Sequence, residues 1–228
     1  MKDNLSPYNA DSYEDGLDKT MPFYKQFYSE TIEIITFLKP EANVRLGTGC
    51  GRGSMLHATI PSFKKKTFLI ADTSSKILNQ AHLKLSHIPE NKLEIIGNTG
   101  TEKLPDIKPH APQVITAILA HHYFNKEQRN IATRRCYELL ENDGVYVTFE
   151  NIYPQTECGM KTGLGRWKAF QQSQGKTEEE ASDHINRYNK SFFPISVDEH
   201  LSVLKKAGFK VAELFWYSNM QAGIYAIK

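Results

Sequence analysis

The sequence predicts an α/β protein built on an open, mostly parallel sheet of seven strands. Three observations carry this. Short apolar, β-branched segments alternate with stretches of helical periodicity, the pattern that crossover connections impose on a parallel sheet. A glycine-rich turn, Gly47-Thr48-Gly49-Cys50-Gly51-Arg52-Gly53, follows the first such segment directly, and an acidic residue, Asp72, closes the second. The last two segments lie too close together for a crossover, so they read as an antiparallel hairpin.

The elements follow in chain order. Residues 1–40 are tyrosine-rich, turn helical in their second half, and read as a cover over the sheet. The strands are Asn43–Leu46, Thr67–Ala71, Leu93–Ile96, Gln113–Leu119 and Val145–Glu150, the fifth fed by the turn Asn142-Asp143-Gly144. Asn125 with Gln128, Thr177 with Glu180 and Ser196 with Glu199 each have capping-box spacing, which marks three helix starts. Glu199–Ala207 carries Leu201 and Leu204 on one face, and Gly208 is its C-cap. Residues 152–194 exceed an ordinary connection and read as an inserted helical cap, since long connections often serve as lids. Lys210–Tyr217 and Gly223–Ile227 form the closing hairpin. The whole of 1–228 is expected to be one domain, with 1–40 as cover and 152–194 as cap.

Composition narrows the function classes. The 228 residues are 40% hydrophobic and 24% charged, ordinary for a globular domain. There is no apolar run of the roughly 18 residues a membrane span requires, and Met1-Lys2-Asp3-Asn4-Leu5 lacks the apolar core of a signal peptide. Cys50, Cys136 and Cys158 fit neither a disulfide framework nor a metal site, so reduced thiols and a cytoplasmic location are expected. The near-balanced net charge of +2 argues against a nucleic-acid partner, for which Lys64-Lys65-Lys66, the one dense basic run, argues only weakly. A small-molecule substrate, no membrane, no metal, and a monomer or homodimer are expected.

The chemistry-bearing signal is the glycine turn with Asp72. Glycines let the backbone approach a ligand without a Cβ in the way, and an acid at the end of the second strand is placed to accept from ribose hydroxyls. A dinucleotide fingerprint requires G-x-G-x-x-G; here position 52 is Arg, and the run is G-x-G-x-G-x-G. Ligands of open α/β sheets bind at the C-terminal edge of the strands. His121 and His122 follow the fourth strand there, and Glu150-Asn151 ends the fifth. Either histidine, with its ordinary pKa near neutrality, is a candidate general base, the competing reading being that one packs under the cap and the other caps a helix. Glu150 or Asn151 is a candidate for orienting a polar group, the competing reading being a surface carboxylate and a turn asparagine. Arg166, Trp167, Arg187 and Tyr188 in the cap suggest recognition of an anionic or planar substrate, with a solvated helix face as the alternative.

The run Gly47–Gly53 resembles motif I of class I S-adenosylmethionine (SAM)-dependent methyltransferases. Asp18-Lys19-Thr20-Met21-Pro22-Phe23-Tyr24 and the closing Phe215–Lys228 resemble the ends of a methyltransferase-like group. That group includes carboxy-SAM synthase, which acts in tRNA wobble-uridine modification, and uncharacterised bacterial and archaeal proteins. The resemblance implies a Rossmann-like methyltransferase fold, SAM as cofactor and S-adenosylhomocysteine (SAH) as product. It implies Gly47, Gly49 and Gly51 around the methionine moiety, Asp72 on the ribose, and Tyr24 folded over the cofactor. The Ala117 carbonyl would meet the cofactor amine, and Asn98 or Thr99 would take the place of the family's adenine-reading acid. Methyl transfer to a small molecule is the activity it implies first; cofactor remodelling of the carboxy-SAM type, or SAM binding without catalysis, are the alternatives. Arg45 stands where the family has an acid that favours the cofactor amine. A cation there repels that amine and attracts a carboxylate, unless it turns away and pairs with a neighbouring acid.

Overall fold

The computed structural model describes residues 16–63, 66–109 and 111–228. The reading of the first five residues, the first part of the cover, and Lys64 and Lys65 lie outside the described residues.

Seven strands form one sheet in the order β3-β2-β1-β4-β5-β7-β6. β1 (Val44–Thr48), β2 (Thr67–Asp72), β3 (Leu93–Asn98), β4 (Val114–Ile118) and β5 (Val145–Asn151) run parallel. β6 (Val211–Ser218) and β7 (Gln221–Ile227) form the antiparallel hairpin, and β7 joins it to β5. All seven expected strands are present, with ends displaced by one or two residues.

Alternation along the strands sorts side chains to two faces. Leu46, Leu69, Ile115, Ala117 and Tyr146 pack against Cys136 and Leu139 of α5 (Lys126–Leu139) and Leu204 and Ala207 of α8 (Val197–Ala207). On the opposite face Phe68, Val114, Val145 and Val147 meet Ile35 of α2 (Tyr24–Leu38), and Ile70 meets Leu78 and Ala81 of α4 (Ser75–Lys84). All three capping boxes form, at Asn125, Thr177 and Ser196, and Gly208 ends α8 with a left-handed φ of 116°.

The cap and cover meet above the C-terminal edge of the sheet. α6 (Glu157–Ser173) and α7 (Glu178–Ile185) supply the cap, and α1 (Leu17–Thr20) with α2 supplies the cover. Leu17, Met21, Phe27, Leu119, Phe149, Trp167, Tyr188, Phe192 and Met220 form one buried cluster there. Trp167 is fully buried, and its Nε1 donates to the Thr20 carbonyl at 2.6 Å. Trp167 and Tyr188 therefore hold the cap down and do not face a ligand. Arg166 is exposed, as the solvated-face reading had it.

Candidate functional site

Between β1, the turn that follows it, and α2 and α3 (Ser54–Thr59) lies a cleft of about 820 Å³ including its open mouth. The turn forms its wall. Gly49 has a φ of 56°, and a Cβ built there would lie 2.6 Å from the Ala120 side chain, so both the backbone angle and the close approach to the β4 end require glycine. Gly47, Gly49 and Gly51 all line the cleft, and Ile118 and Leu119 border it from the end of β4. Tyr24 and Tyr28, one helical turn apart on α2, close its other side, and their hydroxyls hydrogen-bond to each other.

Asp72 ends β2 and is nearly buried. Its Oδ2 accepts from the Gly51 amide at 3.0 Å and its Oδ1 from the Ser74 amide at 3.1 Å. The carboxylate thus ties the turn to the second strand. Asn98, exposed at the end of β3, stands opposite Asp72 in the ladder, and the Thr99 amide donates to the Asp72 carbonyl at 2.9 Å. Neither of them, nor the Asp72 side chain, is among the residues that line the cleft; Asp72 meets its wall through Gly51. Ala117 is buried within the sheet, and its carbonyl accepts from the Thr148 hydroxyl at 2.7 Å. Cys50 does line the cleft, but burial, with the Asp72 charge, raises its thiol well above the ordinary range, so it is no thiolate nucleophile.

Arg45 forms part of the cleft floor. It is 5% exposed, its guanidinium carbon lies 3.3 Å above the centre of the Phe63 ring, and Nε, Nη1 and Nη2 have no partner among the described residues. Burial lowers its pKa to about 10. The pairing with a neighbouring acid that the sequence left open does not occur among the described residues, because an arginine in mid-strand faces the aromatic and aliphatic side chains of that layer.

The two histidines sit in a short 3-10 turn, His121–Tyr123, directly above β4. They part to opposite faces. His121 stacks on Phe124, and its nitrogens meet Thr101 Oγ1 at 3.1 Å and Tyr146 Oη at 3.2 Å. Burial lowers its pKa to about 4. With both ring nitrogens engaged it is a packed histidine. His122 turns under the cap, and its Nδ1 lies 2.9 Å from Glu150 Oε2. Glu150 also accepts from the amides of His121 at 3.0 Å and His122 at 2.9 Å, and its Oε1 lies 2.8 Å from the Thr148 hydroxyl, which shares its one proton between this oxygen and the Ala117 carbonyl. Burial opposes its ionisation, but the His122 hydrogen bond and the neighbouring histidines outweigh this and hold it at about 2. With Nδ1 held, Nε2 is the nitrogen of His122 directed away from Glu150. The ring lines a small cavity with Leu17, Met21, Leu119 and Asn151, and Leu119 is common to that cavity and the cleft.

Three further residues shape this corner. Leu119 takes a φ of 54°, Arg129 donates from Nη2 to the carbonyls of His121 and Phe193, and Tyr28 faces the cleft beside Tyr24. Only Tyr28 carries a sequence signal, its spacing of four from Tyr24. Among the described residues no group of three or more His, Cys, Asp or Glu is arranged to hold a metal ion, and no helix is long and apolar enough to cross a membrane.

No family model matches the chain. It is 23% identical over 224 residues to a carboxy-S-adenosyl-L-methionine synthase of Staphylococcus epidermidis, covering 98% of this chain and 95% of that protein. To the synthase of Nautilia profundicola it is 22% identical over 219 residues, covering 96% and 92%. Among solved structures it superimposes on an O-methyltransferase family protein from Burkholderia thailandensis with a TM-score of 0.66 at 11% identity. That match covers 96% of this chain but 59% of the longer protein. On the magnesium protoporphyrin IX methyltransferase of Synechocystis, solved with bound SAH, the TM-score is 0.63 at 14% identity, covering 92% and 85%. The fold is the Rossmann-like methyltransferase fold, and the chain resembles carboxy-SAM synthase along nearly its whole length.

Proposed function

We propose that the protein is a SAM-dependent enzyme that transfers a methyl group to a small-molecule acceptor held beneath the helical cap. The observation that carries this reading is the glycine-walled cleft tied to Asp72 at the C-terminal edge of the sheet. The cofactor supplies a methyl group already activated on a sulfonium. The chain's own part is to bind, to orient and to exclude water.

In this reading the backbone of Gly47, Gly49 and Gly51 borders the amino-acid end of the cofactor, and Asp72 accepts from the ribose. Tyr24 and Tyr28 cover the ligand. Asn98 and Thr99 stand nearest the position from which the adenine edge is read. Ile118 and Leu119, which line the cleft, take the place first given to the Ala117 carbonyl. His122 Nε2 accepts the acceptor's proton, while Glu150 holds Nδ1 and compensates the charge that forms. The acceptor class is supported by the cap, whose buried cluster closes over this corner and would exclude a polymer. The free cysteines at 50, 136 and 158 are consistent with a cytoplasmic enzyme, acting as a monomer or homodimer.

Incubation with methyl-radiolabelled SAM and a small-molecule extract tests the reading. Label should enter the small-molecule fraction, and His122→Asn should lower the rate about 100-fold or more while leaving SAH affinity unchanged. SAH binding with no transfer to any fraction would contradict it. The near-full-length similarity to carboxy-SAM synthases favours a second reading, remodelling of the cofactor itself. Mass spectrometry of the small molecules released on denaturation separates the two, since only the second yields a carboxylated sulfonium.

A further inference from the structure

Arg45 is a charge without a counter-charge. Its three guanidinium nitrogens are buried and unpartnered among the described residues, and the residue forms part of the floor of the cleft walled by Gly47 and Gly49. No Asp or Glu is among the described residues that line this cleft. The surrounding floor is Ile35, Leu56, Phe68 and Val114. A cation in such surroundings is costly unless an anion joins it. One face of the guanidinium rests on Phe63, which fixes its plane and leaves the N–H edge as the donor surface. That edge is a planar fork suited to two parallel hydrogen bonds.

We infer that Arg45 is the carboxylate-binding residue of the cleft, taking the carboxylate of a bound ligand on the edge of its guanidinium. Charge selects a carboxylate over a phosphate. Arg52, the other arginine lining the cleft, is only half-buried, so in the floor a single buried guanidinium neutralises one negative charge, whereas a phosphate monoester carries about 1.5 to 2 and would leave the excess among apolar side chains. The carboxylate has two sources: the amino-acid end of the cofactor, or an acidic group on the second substrate. The first rests on the cofactor reading above. It reverses the usual polarity of the site, with the ligand's carboxylate, not its ammonium, directed at β1.

Calorimetric titration of wild type, Arg45→Met and Arg45→Lys tests this. The probes are SAH, its decarboxylated counterpart S-adenosyl-3-thiopropylamine, benzoate, succinate and inorganic phosphate. If the cofactor supplies the carboxylate, wild type prefers SAH over the decarboxylated compound by at least about 10-fold. Arg45→Met loses that preference, and Arg45→Lys retains part of it. If the second substrate supplies it, all three proteins bind SAH alike, and benzoate or succinate binds wild type but not Arg45→Met. The assignment is overturned if Arg45→Met, shown folded by a cooperative melt, binds SAH and both acids as wild type does. Preference for phosphate over both acids overturns it as well. If no protein binds SAH, the cofactor reading fails by itself, and the two acids alone decide the role of Arg45.

Discussion

Of the charged side chains buried in the sheet, Glu150 and Arg45 are treated in opposite ways. Glu150, on β5, is fully buried and receives four hydrogen bonds, from Thr148, His122 Nδ1 and two backbone amides. Arg45, on β1, is 5% exposed, and its side chain donates none among the described residues. Buried polar groups are normally paired, because an unpaired one forfeits its hydration without return. Glu150 is therefore complete without a ligand: it organises the turn above β4 and fixes His122. Arg45 is incomplete without one. The contrast separates a charge that builds the site from a charge that waits for what the site binds.

The largest test of this contrast is Glu150→Gln. The amide would present hydrogens to donors that expect oxygens, and unfolding stability should fall by about 3 kcal/mol or more, read by urea denaturation. A loss below about 1 kcal/mol would show that the four bonds do not act as a unit. Arg45→Met should act in the opposite direction. Removing an uncompensated buried cation while keeping an apolar stem should stabilise the ligand-free protein by about 1–2 kcal/mol. A net loss would mean that the stack on Phe63 outweighs desolvation. Thr148→Val removes one donor to Glu150 and should cost about 1–2 kcal/mol.

The smallest effect per step is the pH dependence. Burial lowers His121 and His200 to about 4 and His184 to about 3, from an ordinary 6.5. The unfolded chain takes up these protons first, so it binds more of them between pH 6.5 and about 4, and stability falls on acidification through that window. Each group contributes at most about 1.4 kcal/mol per pH unit. Glu150, held at about 2 against an ordinary 4.5, adds stability above 4.5 that is lost as pH falls towards 2. Urea stability at pH 7, 6 and 5 should show the first slope, and His200→Leu should flatten it; a slope of the opposite sign would contradict the burial of neutral histidines.

Local signals were legible in the sequence. The capping boxes at Asn125, Thr177 and Ser196 and the C-cap at Gly208 each depend on residues within one helical turn, and all form. Strand alternation and the short hairpin likewise declared the sheet, and glycine spacing declared the turn. The rest depends on neighbours distant in the chain. His122 and Glu150 were separate candidates whose pairing follows from the adjacency of β4 and β5. Nothing local marks the left-handed φ of Leu119, because leucine rarely adopts it. Trp167 suggested ligand recognition, yet it is spent on holding α6 to Thr20. That Arg45 lacks a partner depends on what surrounds it across three strands and two helices.

The most direct test of the account is calorimetric titration of SAM into wild type and Gly49→Ala. Gly49 has no room for a Cβ against Ala120 and holds the wall of the cleft. Wild type should bind one SAM per chain saturably, and Gly49→Ala should lose that binding while its melt remains cooperative. No binding by folded wild type, or equal binding by both proteins, would contradict it.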